Sequence, residues 1–220
     1  MRTRMLPALL IPALIASCNT TSVTTDPLDL SFTATGTTQN YKPVQDAELS
    51  YTTQNTKLVV GTLKAGGTVD ITMTAAQATS VTMRQLSEYA TAWKNGGCDI
   101  SGLAVQDTTL RFTDRAMFNT AGGTSSVLYP QAVRKNADGT TTVERSGFWY
   151  AQKTGSMKGA VKCPGRPDVT YDVTLQPGWN TTVHTLTTRP DGTITDDRIG
   201  QSRVTNTYDG PWYAYTVTNP

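Results

Sequence analysis

The sequence predicts a mainly β protein, built as an antiparallel, sandwich-like arrangement of strands with one short helix near residues 80–94. Two observations favour this fold class. Thr occupies 41 of the 220 positions, and its branched Cβ favours strands over helices. Apolar and polar residues also alternate with a period of two in many segments, as half-buried strands require.

The strands follow one another with glycine-rich turns between them. The alternation is clearest at 28–35, 68–74, 169–175 and 212–217. Weaker patterns predict strands around 47–53, 57–64, 108–113, 125–134, 140–151, 156–163, 180–188, 193–196 and 203–208. Glycine readily adopts the positive φ angles that tight hairpins need, and the predicted turns are Ala65-Gly66-Gly67, Asp138-Gly139, Gln176-Pro177-Gly178 and Asp191-Gly192.

One segment breaks the β pattern and predicts the helix. Thr79 or Ser80 can cap its start, and Gly96-Gly97 can end it. Between these limits the apolar residues follow helical spacing, at Met83, Leu86, Tyr89, Ala90 and Trp93.

The first 17 residues have the features of a secretory signal peptide. Arg2 and Arg4 carry the positive charge at its start, and residues 5–16 are apolar. This stretch is shorter than the roughly 20 residues that cross a bilayer. It ends in small residues, which is typical of a cleaved signal.

Ile15-Ala16-Ser17-Cys18 resembles the lipobox of bacterial lipoproteins, in which an aliphatic residue and two small residues precede a cysteine. The resemblance implies that the Cys18 sulfur carries a diacylglycerol and that cleavage before Cys18 leaves an acylated N-terminus. Such acyl chains give stable membrane anchoring. Asn19, in place of the Asp that usually retains lipoproteins at the inner membrane, is compatible with the outer membrane. An ordinary signal peptide that is cut near Ala16 or Ser17 is the alternative.

These features divide the chain into four segments. We predict a signal peptide at 1–17, a lipidated polar tether at 18–27, a small β unit at 28–97 that ends in the helix, and a larger β unit at 98–220. The tether is polar and has no periodicity, as linkers commonly are. The sequence does not decide whether the two β units pack as one body.

Cys98 and Cys163 remain as a pair if Cys18 carries lipid. Export would place them where disulfides persist, so we predict a bridge that closes a loop of about 65 residues. Two buried free thiols are the alternative. A metal site is disfavoured, because the chain has no C-x-x-C motif and a single His.

Motifs for catalysis are sparse. His184 could join Asp172 and a serine in a triad, and Ser156 with Lys158 could form a Ser–Lys pair. An ordinary strand position explains these residues as well. Three acidic residues near one predicted hairpin could bind calcium, although their spacing does not match a calcium loop: Asp191, Asp196 and Asp197. We expect no metal and no cofactor.

Aromatic residues are the candidates for ligand binding. They cluster at 148–150 and 212–215, and Trp179 follows a turn. Because neighbouring residues on a strand point to opposite faces, each cluster places rings on both faces of its sheet. An exposed face could bind sugars or a protein partner, which makes Trp149, Trp179 and Trp212 candidate ligand-binding residues. Burial in the core with cross-strand pairing is the alternative.

The mature part of the chain has a wider resemblance. Its regular strands and Gly-rich hairpins resemble exported immunoglobulin-like or transthyretin-like β-sandwiches, which implies a sandwich architecture. The segment DVTLQPGWN, from Asp172 to Asn180, is similar to a recurring pattern in uncharacterised exported bacterial lipoproteins. That pattern implies no known activity.

These observations predict a noncatalytic, lipid-anchored cell-envelope protein that acts as a structural or binding module. Its partners would be the membrane, through Cys18, and a glycan or an envelope protein. The alternative is a carbohydrate-binding or carbohydrate-processing surface lipoprotein that uses exposed aromatics. A hydrolase centred on His184 is a third option.

Charge argues against a nucleic-acid partner. The formal net charge of the whole chain is +2. Removal of the signal takes away Arg2 and Arg4 and no acid, which leaves 17 basic and 17 acidic side chains. A chain of zero net charge lacks the basic surface that nucleic-acid-binding proteins present.

Overall fold

The computed structural model describes residues 26–53, 56–81, 83–115, 117–121, 126–203 and 206–216. The predicted signal peptide, the predicted lipidation site Cys18 and most of the predicted tether lie outside these ranges. Within them the protein is mainly β, as the sequence predicts. The described chain begins with Asp26, which caps a single 3-10 turn at Pro27–Asp29.

Fifteen strands and two α-helices form within the described ranges. The helices are α1 (Ala75–Thr79) and α2 (Leu86–Asn95). The strands are β1 (Phe32–Thr38), β2 (Ala47–Thr53), β3 (Thr56–Leu63), β4 (Thr68–Met73), β5 (Arg84–Gln85), β6 (Leu103–Gln106), β7 (Arg111–Arg115), β8 (Phe118–Ala121), β9 (Ser126–Lys135), β10 (Thr141–Ala151), β11 (Gly155–Val161), β12 (Val169–Leu175), β13 (Gly178–Thr188), β14 (Ile194–Arg203) and β15 (Thr207–Thr216).

Seven strands form a sheet that closes on itself, in the order β1-β4-β3-β2-β8-β9-β15 and back to β1. We call it the closed sheet. Its neighbours are antiparallel except β15 and β1, which pair in parallel from Thr33↔Thr207 to Thr38↔Trp212. A sandwich needs two open sheets packed face to face. The sandwich-like arrangement is not confirmed, because β15 returns to pair with both β1 and β9 and closes the first sheet.

The second sheet is open and has the order β5-β7-β10-β13-β14-β12-β11-β6. Strand β9 joins the two sheets: residues 126–130 pair with β15 in the closed sheet, and residues 131–135 pair with β10 in the second sheet. The closed sheet therefore combines strands from both segments that the sequence separates, 28–97 and 98–220.

Two hydrophobic cores lie on opposite faces of β10. Phe148 and Tyr150 belong to the first core, which is formed mainly by the closed sheet and includes Phe32. Trp149 and Ala151 belong to the second core, between α2 and the second sheet. All four β10 residues are buried, so this end of β10 is covered on both faces.

The alternation that predicts strands is confirmed where it is strongest. In β4 every second residue is buried, at Val69, Ile71 and Met73. Strand β12 has the same pattern from Val169 to Val173. Burying one large apolar side chain stabilises the fold by about 1.5–3 kcal/mol, so the alternating residues supply much of the energy that holds each strand to its core.

The single helix that the sequence predicts near 80–94 is replaced by two helices. Helix α1 begins after Thr74, whose hydroxyl accepts the Gln77 N–H while the Gln77 side chain accepts the Thr74 N–H. This reciprocal capping box satisfies two donors at the helix start. The predicted start at Thr79 or Ser80 is wrong, because a helix already ends there.

Helix α2 begins only at Leu86. Arg84–Gln85 form strand β5 because they pair with β7, at Phe112 and Arg111, which lie 28 and 26 residues further along the chain. Met83 is buried in the first core rather than on the helix. Ala90 is buried, and the rest of the predicted helical face lies on the second core, at Leu86, Tyr89 and Trp93.

We expect Phe148→Ala to lower the free energy of unfolding by about 3–5 kcal/mol. Phe148 is fully buried, and its ring lies 4.3 Å from that of Phe32. Val59→Ala, at a position that is 47% exposed, should change the same quantity by less than about 0.5 kcal/mol. Urea unfolding followed by tryptophan fluorescence measures both. Equal losses in the two variants would contradict the central position of Phe148.

Candidate functional site

The three tryptophans that the sequence proposes as ligand-binding residues are buried. Trp149 is 5% exposed, Trp179 is 3% exposed and Trp212 is 0% exposed. The exposed face that a binding role for these tryptophans would need is not formed, and the alternative of core packing is correct. Trp179 and Trp212 lie in the first core, which is formed mainly by the closed sheet, and Trp149 lies in the second core, between α2 and the second sheet.

Each buried indole has a defined structural partner. Trp149 stacks on Phe112 with ring centres 4.8 Å apart. The Trp212 Nε1–H donates to the Thr35 carbonyl oxygen at 3.0 Å, which links β15 to β1. A buried indole N–H that is satisfied in this way stabilises the core at no desolvation penalty.

The DVTLQPGWN segment forms a turn that holds the start of the fold. The Asn180 side chain is fully buried; it accepts the Gln176 N–H and donates to the carbonyl oxygens of Gln176 and Gly178. Gly178 has a φ of 88°, and a side chain there would collide with the Pro27 carbonyl oxygen. Only glycine combines this conformation with so close an approach.

Two more contacts fix the residues beside this turn. The Trp179 Nε1–H donates to the Leu30 carbonyl oxygen at 3.0 Å, and the Tyr150 hydroxyl donates to the Leu28 carbonyl oxygen at 2.6 Å. We call Tyr150, Gly178 and Trp179 the N-terminal clamp, because together they hold residues 27–30 against β10 and β13. The first residues of a domain are poorly ordered unless such contacts tie them down.

His184 does not pair with Asp172, so Asp172 is the wrong acidic residue in the triad that the sequence suggests. Its Nε2 lies 2.8 Å from Oδ1 of Asp197, whereas Asp172 forms an ion pair with Lys158 at 3.0 Å. Within the described ranges no serine hydroxyl hydrogen-bonds to His184. Asp197 is buried, and its Oδ2 also forms an ion pair with Nη2 of Arg166 at 3.4 Å. Through His184 and Arg166, Asp197 therefore links β13 to the loop between β11 and β12.

Arg166 continues this network toward α2. Its guanidinium lies 5.0 Å from the ring centre of Trp93, and the Trp93 Nε1–H donates to the Tyr171 hydroxyl at 2.8 Å. Burial raises the pKa of Tyr171 well above its usual value. The network therefore ties the helix to the sheet with hydrogen bonds and a cation–π contact, a structural role.

The other polar candidates also have structural partners. The Ser156 hydroxyl donates to Oε1 of Gln106 at 3.2 Å, and not to Lys158. Asp191 accepts the Thr193 N–H within its own hairpin, which lowers the pKa of its carboxyl. Asp196 pairs with Arg198. Among the described residues no three His, Cys, Asp or Glu side chains form a group that could hold a metal ion.

A different group of side chains lies at the surface where β9, β10 and β15 meet. Three of its members are substantially exposed: Met117 by 45%, Val133 by 39% and Tyr215 by 41%. An exposed cluster of Tyr, Met and Arg side chains is typical of binding surfaces. We call it the Arg145 surface, and it consists of Met117, Tyr129, Gln131, Val133, Arg145 and Tyr215.

Arg145 is fixed at the centre of this surface. Its Nε–H donates to Oε1 of Gln131 at 2.5 Å, and Gln131 is 1% exposed. Its guanidinium carbon lies 4.7 Å from the ring centre of Tyr129 and 5.8 Å from that of Tyr215. The two tyrosine rings meet edge to face, 5.5 Å apart. These contacts hold the guanidinium in one orientation, as a binding site requires.

The sequence predictions missed Arg145 and Gln131 and chose Trp212 instead of Tyr215. Alternation did indicate that Tyr213 and Tyr215 point away from Trp212, so the burial of Trp212 places Tyr215 on the outer face. No motif indicates that Gln131 meets Arg145, because that contact depends on the pairing of β9 with β10.

The chain matches no protein-family model, no curated protein and no solved structure. The described residues contain no helix that is long and apolar enough to cross a membrane.

The predicted Cys98–Cys163 disulfide is present. We expect the double variant Cys98→Ser/Cys163→Ser to lose about 4 kcal/mol of unfolding free energy, since the bridge closes a loop of 65 residues. Urea unfolding of the oxidised protein and of the variant measures the loss. The dithiothreitol-reduced wild type serves as the control and should unfold with the variant. Equal midpoints for the oxidised protein and the variant would contradict this stabilising role.

Proposed function

We propose that this protein is a noncatalytic, lipid-anchored module of the bacterial cell envelope, with a structural or binding role. The lipobox-like Ile15-Ala16-Ser17-Cys18 supports the anchor, and the polar segment 18–27 supplies a tether. Lipid on Cys18 would hold the fold outside the cytoplasm, on the cell membrane or the outer membrane.

The N-terminal clamp is the structural observation that favours this proposal. A protein held by its N-terminus bears any pull on the anchor at the first residues of its fold. Here residues 27–30, at the junction of the tether and the fold, are held by Tyr150, Gly178 and Trp179. The clamp residues belong to β10 and β13, two long strands of the second sheet, so a pull on the tether is passed to the centre of the molecule.

The disulfide supports the same location. Structural disulfides persist in exported proteins and are rare in the cytosol of most organisms. Cys98–Cys163 joins the segment after α2 to the end of β11. It therefore fits a protein that folds after export and has no need of a reduced thiol.

Carbohydrate binding is a second candidate role for the module, and the Arg145 surface is what favours it. The exposed aromatic is Tyr215, packed edge to face on the partly buried Tyr129, in place of the buried tryptophans. Tyrosine rings offer an apolar face to sugar C–H groups and a hydroxyl to sugar oxygens. Gln131 and Arg145 add polar groups at the same place.

We expect Cys18→Ser to abolish the incorporation of labelled palmitate and to release the protein from the membrane fraction, because serine offers no thiol for the diacylglycerol. Ser17→Ala keeps a small residue before the cysteine and should label as the wild type does. Labelling of Cys18→Ser at the level of Ser17→Ala would rule out the proposed anchor.

A further inference from the structure

Arg145 carries a charge that no described side chain neutralises. Each ion pair among the described residues uses another cation, and Arg145 instead contacts an amide and two aromatic rings. Its Nε–H is used by Gln131. The two terminal nitrogens of the guanidinium form no hydrogen bond within the described ranges, so they can donate to a bound molecule.

The hydrogen-bond directions around Gln131 follow from simple chemistry. A guanidinium can only donate, so the Gln131 atom at 2.5 Å from Arg145 must be the amide oxygen. The amide nitrogen then faces the Tyr215 oxygen at 2.6 Å. Because an amide nitrogen can also only donate, the Tyr215 oxygen is the acceptor in that contact.

The consequence is that Tyr215 keeps its own proton for another partner. Its hydroxyl hydrogen points away from Gln131, on a side chain that is 41% exposed. Gln131, which is almost fully buried, thus leaves two kinds of donor free: the terminal nitrogens of Arg145 and the hydroxyl of Tyr215. A group that satisfies both must be an acceptor, and the Arg charge selects a negative one.

We infer that the Arg145 surface binds the carboxylate of an acidic sugar, a hexuronate, with Arg145 and Tyr215 as its donors. One fixed cation and one neutral donor match the single charge of a carboxylate, whereas a phosphate monoester carries about −1.5 to −2. His184 is the β13 residue that pairs with Arg145. Because its Nε2 already lies beside the Asp197 carboxylate, His184 is not counted among the donors of this site.

The surroundings of the two donors fit a sugar ring. The Tyr215 ring meets Tyr129 edge to face beside Arg145, whose guanidinium lies over the Tyr129 ring. The exposed Met117 side chain accepts the Tyr129 hydroxyl at its sulfur, and the exposed Val133 follows Gln131 by two residues on β9. Apolar side chains next to a few fixed polar groups are what small-molecule sites use for orientation. The inference rests on the proposed role as a binding module, and it does not depend on the lipid anchor.

The test is calorimetric titration of the full chain, purified in detergent, with a trimer of galacturonic acid. The fully methyl-esterified trimer is the matched ligand, because it keeps the sugar and removes the charge. We expect the acid to bind at least about tenfold more tightly than the ester. Binding of the acid should weaken as salt is raised, because exposed charges are screened.

Variants assign this binding to the two donors. Arg145→Gln should weaken it at least about tenfold and Tyr215→Phe about fivefold, as expected for the loss of a charged and a neutral hydrogen bond. Arg198→Gln removes an equal charge from a residue paired with Asp196 and should bind as the wild type does. Tyr215→Phe removes one oxygen from a side chain that is 41% exposed, and with it the acceptor of the Gln131 amide N–H. Its effect does not depend on whether Arg145→Gln folds.

Three results would overturn the inference: no binding of the acid, equal binding of the acid and the ester, or unchanged binding by Tyr215→Phe. Competition by inorganic phosphate at the same concentration as galacturonate would overturn the choice of a carboxylate.

Palmitate labelling of Cys18 in the same preparation is scored separately. Failure of binding in a labelled protein overturns the ligand alone, and binding by an unlabelled protein overturns the anchor alone.

Discussion

Burial of β10 on both faces is the constraint on which the rest of the structure depends. Phe148 and Tyr150 enter the first core while Trp149 and Ala151 enter the second. A strand with apolar side chains on both faces must be covered from both sides, so the closed sheet and α2 have to lie on opposite sides of the second sheet. The N-terminal clamp depends on the same strand, since Tyr150 supplies its hydroxyl to Leu28.

The other end of β10 shows how the core positions the candidate site. Beyond the doubly covered residues the strand reaches the surface, and Arg145 pairs with Gln131 of β9 on one side and His184 of β13 on the other. Strand β9 leaves the closed sheet at this point, where β15 ends its pairing with it. The site residues are thus carried by strands whose positions the two cores determine, which keeps Arg145 and Tyr215 in one geometry.

Much of the fold could be predicted, because period-two alternation and glycine turns are local properties. They correctly indicated β4, β12 and the hairpin after Leu63. The helix was predicted only in part, because Arg84–Gln85 pair with β7 and delay the start of α2. A pairing between remote segments leaves no local signal, and helical spacing alone placed Met83 on the wrong element. The Cys98–Cys163 pair could be predicted because, once Cys18 is assigned to the lipid, only two cysteines remain.

The sequence by itself determined that Trp212 and Tyr215 lie on opposite faces of one strand, since side chains alternate along a strand whatever surrounds it. It also set the lipobox-like start and the mainly β class. Tertiary structure decided which of those faces is buried, because β15 closes the sheet by pairing with β1, whose residues lie far away in the chain. It also decided that Gln131, Arg145 and Tyr215 meet. Their contacts arise from pairings of three strands, and such pairings are selected by the packing of the whole molecule rather than by neighbours in sequence.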